Sequence, residues 1–172
     1  VTGAQIVNED ARWEQLSFHW YENIDSDTPT TGWTDGESGN VTEGQSIPDD
    51  APVDSSDVLR LRMNLQANSA TGTVASTDFK LQYAAAAICS TAPNEDWFDV
   101  GVIGSTTAAF AGFNNASVAD GVILSTTTLA SSTVLGTYEE ENNSAFLPNE
   151  VPLGDAIEFD WVITPVSNEF NT

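Results

Sequence analysis

One segment near the middle of the chain, Val58-Leu59-Arg60-Leu61-Arg62-Met63-Asn64-Leu65-Gln66, alternates strictly between two kinds of residue. Leucines and methionine occupy every second position from 59 to 65, and arginine, asparagine and glutamine occupy most of the others. In a pleated strand a period of two places these two sets on opposite faces, whereas a helix would mix them. We therefore predict a β-strand with an apolar inner face. Its outer face is expected to be a positive stripe that neighbouring carboxylates bracket.

The first strand is predicted at residues 12–22, where Leu16, Phe18 and Trp20 alternate on one face. Trp13 is out of phase with these three residues. An extra residue in one strand of a pair reverses the alternation at that point. We therefore predict a strand that contains a β-bulge.

Further strands are predicted at residues 78–84, 97–103 and 156–163, the last ended by Pro165. The strand at 78–84 follows a short turn after the 58–66 strand, and we expect these two strands to be neighbours in a sheet. Short strands separated by turn residues, without a sustained helical period, favour an all-β fold. We predict an antiparallel β-sandwich of the jelly-roll or immunoglobulin-like kind, as a single domain over residues 11–172.

The charge of the chain excludes several partners. There are 26 Asp and Glu residues against 4 Lys and Arg residues, which gives a formal net charge of −22. Nucleic-acid binding depends on Lys and Arg that displace phosphate counterions, so no nucleic-acid partner is expected. No run of about 20 apolar residues is present, so membrane insertion is not expected either. A chain that begins at Val1 fits a processed product or an excised segment, and we predict an extracellular or cell-surface location.

Acidic residues gather in the loop region between residues 23 and 57 and at residues 139–141. Carboxylates on flexible loops are the ligands that Ca²⁺ prefers, although none of these clusters follows the EF-hand pattern. The candidate calcium ligands are Asp35, Glu37 and Asp49. The alternative is that these loops form a solvated acidic surface, and no other cofactor is expected.

No residue stands out as catalytic. His19 is the only histidine and lies among aromatic residues, so we predict a structural role for its ring. Asn40, Asn115 and Asn142 fit the N-glycosylation acceptor pattern, which also arises by chance in a chain rich in Asn, Ser and Thr. Trp33 or Trp97, if solvent-exposed, would suit stacking on a sugar. We therefore expect a protein that is not an enzyme.

Several segments, in this order and spacing, carry a resemblance to known sequences. They are Leu59-Arg60-Leu61-Arg62-Met63, Phe79-Lys80-Leu81-Gln82-Tyr83-Ala84, Cys89, Trp97, Asp120-Gly121, Thr137-Tyr138-Glu139-Glu140-Glu141-Asn142-Asn143 and Glu158-Phe159-Asp160-Trp161. The set resembles an uncharacterised family of secreted β-rich modules of bacterial surface proteins, many from uncultured lineages. The resemblance implies a surface-exposed structural module without a known activity, and it names no ligand.

In similar sequences, a segment like Asn171-Thr172 is followed by a second cysteine and a final strand. The resemblance therefore implies that Cys89 lacks a partner in this chain and that one sheet lacks an edge strand. Three explanations stay open: the polypeptide continues, a neighbouring subunit supplies the strand by donor-strand complementation, or the ends are wrongly aligned.

Together these observations predict a structural subunit or module of an extracellular filament, pilus-like fibre or surface layer. It would assemble with copies of itself through β-strand edges or terminal segments. Residues 1–10 form a candidate N-terminal arm that is exchanged between subunits, and Ile6, Val7 and Cys89 are the candidate assembly residues. The alternative is an adhesin or carbohydrate-binding module of a larger cell-surface protein.

Overall fold

The computed structural model describes residues 11–34, 39–47, 53–74, 78–84, 97–141 and 145–166. These ranges contain nine β-strands and no helix, which confirms the all-β prediction. The strands are β1 (Trp13–Glu22), β2 (Leu59–Ala67), β3 (Asp78–Phe79), β4 (Gln82–Ala84), β5 (Trp97–Asp99), β6 (Phe110–Gly112), β7 (Val134–Glu139), β8 (Ala145–Phe146) and β9 (Ala156–Pro165).

Five of the strands form one sheet around β9, which we call the main sheet. On one side of β9 lies β2, and β1 lies beyond β2, both in antiparallel pairing. On the other side, β6 pairs antiparallel and β7 pairs parallel with β9. Two small antiparallel ribbons, β3–β8 and β4–β5, complete the strands. The predicted antiparallel character is therefore confirmed, with β7–β9 as a parallel pair.

The predicted bulge in β1 is present, because the register against β2 shifts between Gln15 and Ser17. The extra residue lets Trp13 and Phe18, which are an odd number of positions apart, both pack against the same apolar cluster. Leu16 itself is the bulged residue, and it is 40% exposed. The prediction that Leu16 faces inward with Phe18 was therefore wrong, since the bulge reverses the alternation at this residue.

The predicted neighbour of β2 was also wrong. Residues 78–84 form two short strands that pair with β8 and β5, and the strand predicted at 97–103 ends at Asp99. β2 instead pairs with β9, where Arg62 lies opposite Asp160 and Asn64 lies opposite Glu158. In this register Arg62 and Asp160 form an ion pair between opposite charges, and such cross-strand pairs stabilise strand pairing. Pro165 ends β9, as predicted.

Both faces of the central strands β2 and β9 are buried. The apolar face of β2 and β9 packs into one cluster, which we call the apolar core, and its buried members in these strands are Leu59, Leu61, Ala67, Ile157, Phe159, Trp161 and Ile163. Leu147 and Val151 from the chain around β8 join it, as do Phe79 of β3 and Tyr83 of β4. Trp33 packs against the same core and anchors the loop that follows β1.

The opposite face of β2 and β9 is polar and equally inaccessible. Arg60, Arg62, Asn64, Glu158 and Asp160 all have an exposed fraction of 0%. The prediction of an outward-facing positive stripe was therefore wrong, although the predicted bracketing by carboxylates is present. Alternation fixes which residues share a face, but it does not decide whether solvent or other chain segments cover that face.

Two glycines permit the close packing of strands and loops around β9. A Cβ atom at Gly136 in β7 would lie 2.3 Å from the carbonyl oxygen of Glu158, and one at Gly112 would lie 1.9 Å from that of Glu140. Neither position tolerates a side chain without a shift of the neighbouring backbone. The close approach at Gly136 is between β7 and β9, and the one at Gly112 is between β6 and the residue that follows β7.

Candidate functional site

Four charged side chains form a buried cluster on the polar face, which we call the ionic cluster. Asp160 lies between two arginines and accepts hydrogen bonds from Arg60 Nη2 at 2.7 Å and from Arg62 Nε at 2.8 Å. Glu158 accepts from Arg62 Nη1 at 2.7 Å. Two positive and two negative charges balance in this cluster. Buried charges are stable when they are paired in this way and fully hydrogen-bonded.

The remaining guanidinium protons bind two loops that come from distant parts of the sequence. Arg60 Nη1 donates to the carbonyl oxygen of Ile24 at 3.0 Å and to that of Ser26, and Arg62 Nη2 donates to that of Asp27. Arg62 Nη1 also donates to the carbonyl oxygen of Thr126 at 2.9 Å. The ionic cluster therefore holds the loop after β1 and the loop before β7 over the polar face.

Glu158 binds the second of these loops directly. Its carboxylate accepts the backbone N–H groups of Thr128 and Leu129, both at 2.9 Å. Burial opposes the charged form of Arg62, but Asp160 and Glu158 outweigh that effect and raise the pKa of Arg62. Every charged group of the ionic cluster has an opposite partner. This arrangement suits a structural role, because no group is left to exchange a proton with a substrate.

Replacing Asp160 by Asn tests the contribution of the ionic cluster. The amide preserves shape but leaves two buried arginines with one carboxylate, and such unpaired charge costs about 3 kcal/mol. We expect urea unfolding to show this loss. The matched control is Asp99→Asn, which removes the half-exposed Lys80–Asp99 pair at 3.2 Å and should cost less than about 1 kcal/mol. Equal small losses for both variants would contradict a structural role of the cluster.

A second buried network lies beside the ionic cluster. Asn115 Nδ2 donates to Tyr138 Oη at 2.6 Å and to Asn23 Oδ1 at 3.0 Å, and Asn23 Nδ2 donates back to Asn115 Oδ1 at 2.9 Å. Glu140 accepts hydrogen bonds from the Asn115 backbone N–H and from Tyr138 Oη. The guanidinium of Arg60 lies 5.1 Å from the centroid of the Tyr138 ring, which joins the two networks.

The environment of Asn115 argues against its prediction as a glycosylation site. The side chain is 7% exposed, and both protons of its amide nitrogen are in hydrogen bonds. A glycan needs that nitrogen free and accessible to solvent. Asn40 is exposed, so its glycosylation stays a prediction.

The acidic run at residues 139–141 is not the solvated cluster that its composition suggests. Glu139 and Glu140 are 2% and 3% exposed. Burial, together with the charge of Asp120, raises the pKa of Glu139 to about 7, despite a hydrogen bond from Thr137 Oγ1. Burial also raises the pKa of Glu140. Among the residues that the structure describes, no group of three or more His, Cys, Asp or Glu side chains is placed to hold a metal ion.

The buried carboxyl of Glu139 predicts a specific dependence of stability on pH. Its pKa is higher in the folded chain than the ordinary value of 4.5, so its contribution is full below about pH 4.5 and is lost as the pH rises through about 7. We expect Glu139→Gln to remove this loss. Between pH 5 and pH 8, the free energy of unfolding of the variant should therefore rise by about 2 kcal/mol relative to that of the wild type. Chemical unfolding across that range measures the difference.

The exposed Glu150 provides the matched control for this pH experiment. Glu150→Gln makes the same substitution at a surface residue, and its stability should track the wild type at every pH. A pH profile of Glu139→Gln that runs parallel to the wild type would contradict the assignment.

The other predicted site residues are only partly described. His19 Nε2 lies 3.0 Å from the carbonyl oxygen of Val41, and its ring centroid lies 4.0 Å from that of Tyr21, an arrangement that suits the predicted structural role. The candidates outside the described residues are Ile6, Val7, Asp35, Glu37, Asp49, Cys89 and Asn142, together with the arm at residues 1–10.

The buried residues Tyr138, Glu140 and Asn115 were not identified as partners from the sequence. Their contacts join segments that are 23 to 92 positions apart, and no motif marks them. The sequence did contain a signal for the ionic cluster. Arg60 and Arg62 occupy alternate positions of one predicted strand, and Glu158 and Asp160 occupy alternate positions of another. The opposite face of each strand is apolar.

Comparisons with known proteins add no identification. The described residues contain no helix with the length and hydrophobicity that a membrane span requires. The chain matches no protein-family model, no curated protein and no solved structure. The resemblance to secreted bacterial surface modules therefore stays a prediction.

Proposed function

We propose that this protein is a non-enzymatic structural subunit or module of an extracellular filament, pilus-like fibre or surface layer. In this proposal residues 11–172 form one β-sandwich domain of the jelly-roll or immunoglobulin-like kind, which assembles with copies of itself through sheet edges. The observation that carries the proposal is that none of the residues the structure describes pairs with the outer backbone edge of the first half of β1. An unpaired edge is a template for a strand from another chain.

The other edges of the main sheet are covered by backbone hydrogen bonds. Gly101 exchanges N–H and carbonyl contacts with β6, through Gly101 N to Phe110 O at 2.8 Å and Gly112 N to Gly101 O at 2.9 Å. Residues 121–124 cover the outer edge of β7 in the same way, for example through Leu124 N to Gly136 O at 3.0 Å. These loops prevent pairing with another chain at β6 and β7.

Described residues cover the outer edge of β1 along its second half. Thr31 and Trp33 bind its outer edge at Glu22 and Trp20, and Gly44 binds it at Phe18. Between Trp13 and Ser17, no described residue forms a backbone hydrogen bond on the outer edge. Leu16 presents an exposed apolar side chain at the centre of this stretch. We call residues 13–17 the open edge.

Two residues separate the open edge from the predicted arm at residues 1–10, and in this proposal the arm of a neighbouring copy pairs with that edge. The net charge of −22 opposes such an association, because like charges on two copies repel each other. Salt or divalent cations screen that repulsion over about 10 Å at 0.1 M ionic strength. Assembly through the open edge should therefore depend strongly on ionic strength.

Leu16→Lys tests the proposal, because a lysine on an edge strand blocks the approach of a second strand. We expect the wild type to form ordered polymers as salt is raised, visible by negative-stain electron microscopy and light scattering. Leu16→Lys should lower the polymerised fraction at least tenfold. The control is Leu153→Lys, which places the same charge at a turn residue that is 58% exposed, and it should polymerise like the wild type.

Two results would overturn the proposal. The first is a wild-type protein that stays monomeric at every salt and calcium concentration. The second is a Leu16→Lys protein that polymerises as well as Leu153→Lys. Either result would favour the second candidate, an adhesin or carbohydrate-binding module of a larger cell-surface protein. The observation that favours a binding module over a purely structural one is a cavity whose wall includes Trp20, Tyr83 and Trp97.

A further inference from the structure

A cavity of about 370 Å³ lies on the apolar face, between the main sheet and the β4–β5 ribbon. The main sheet contributes Leu61 and Met63 of β2 and Ile163 of β9 to its wall. Well-packed interiors contain few voids larger than a water molecule, whereas ligand sites usually enclose about 300–1,000 Å³. The volume of this space is therefore that of a binding site for a small molecule.

Aromatic side chains form much of the remaining wall. Phe18 and Trp20 come from β1, Tyr83 and Trp97 come from the ribbon, and Phe110 comes from β6. Tyr83 is fixed between the rings of Phe98 and Phe110, with centroids 5.8 Å and 5.4 Å away, and its hydroxyl accepts the Ala109 N–H at 2.9 Å. The wall is therefore held in place by contacts that do not depend on a ligand. Trp33, the other tryptophan considered for sugar stacking, is not part of it.

The described lining of the cavity has few polar side chains. Gln15, Ser46 and Gln82 supply the polar side chains of the wall, and none of the described residues that line it is charged. The amide nitrogen of Gln82 already donates to Asp99 at 2.8 Å. Although the chain has 26 acidic residues, the described part of the lining offers neither a partner for a charged ligand nor enough hydrogen-bonding groups for one with many hydroxyls.

We propose that this cavity binds a neutral, mostly apolar small molecule of about 15–20 non-hydrogen atoms with one or two hydrogen-bonding groups. Burial of its apolar surface supplies the affinity, and the glutamines and Ser46 orient its polar group. A charged ligand would lose its hydration without gaining a partner. A sugar would leave most of its hydroxyls unsatisfied among aliphatic side chains, which costs more than aromatic stacking returns.

A pair of fluorescent probes with one skeleton tests the chemical class. Phenylnaphthylamine is neutral, and anilinonaphthalene sulfonate is the same aromatic amine with a negative sulfonate. We expect phenylnaphthylamine to bind one site per chain, at a salt concentration where the protein is monomeric, at least tenfold more tightly than the sulfonate. Equal binding of the two probes, or no binding of either, would overturn the proposal.

Variants locate the binding in the cavity. Ala84 lines it, and Ala84→Phe should fill it and weaken phenylnaphthylamine binding at least tenfold. Ala130→Phe adds the same ring at an exposed loop residue and should bind like the wild type. Ser46→Trp, at the exposed lining residue Ser46, is a second filling variant in case Ala84→Phe lowers the thermal unfolding midpoint. Unchanged binding in a folded filling variant would place the probe elsewhere and overturn the proposal.

A competition measurement separates the apolar ligand from a carbohydrate. Maltotriose and cellotriose, added in excess, should leave the phenylnaphthylamine signal unchanged, while an uncharged alkyl alcohol of eight to ten carbons should displace the probe. Displacement by either sugar and not by the alcohol would overturn the apolar assignment and would identify the cavity as a carbohydrate site.

Discussion

Two arginines in a chain with only four basic residues neutralise the two carboxylates that β9 carries into the interior. If Asp160 and Glu158 were buried without them, each unpaired charge would cost several kcal/mol, and β9 would not be a central strand. The same arginines donate to the carbonyl oxygens of two loops, so the cover of the polar face depends on the ionic cluster. The cluster also fixes the register of β2 against β9, since a slip by one residue would place Arg60 and Arg62 in the apolar core.

Because the ionic cluster holds loops over one face of the main sheet, the two faces and the edge of the sheet have different properties. The polar face is closed by loops and satisfied hydrogen bonds, and it offers little to a partner. The apolar face carries the cavity, and the first half of β1 carries the open edge. A central sheet whose buried charges are matched is compatible with the structural module that we propose. In that proposal, the net charge of −22 makes association depend on the surrounding ions.

Strong alternation in the sequence was sufficient to predict β1, β2 and β9, the bulge near Leu16 and the carboxylates around the arginines. Alternation reports which residues share a face, but Arg60 and Arg62 look the same in sequence whether water or a loop covers them. Their burial is decided by Ile24 and Thr126, which are 36 and 64 positions away. The partner of β2 was mispredicted because chain proximity favours the next strand in the sequence. β2 instead pairs with β9, where Asp160 lies opposite Arg62. The Asn115–Tyr138 network and the cavity also depend on contacts between residues that are far apart in the sequence.

The most direct test of the account is a double-mutant cycle on Arg62 and Glu158, read by the free energy of unfolding. Arg62→Met and Glu158→Gln each leave one buried charge unpaired, and each should destabilise the fold by about 3 kcal/mol. In the double variant no such charge is added, so its loss should fall short of the sum of the two by about 2 kcal/mol or more. Losses that simply add would mean that the two side chains act independently, and the ionic cluster would not be the interaction on which the fold depends.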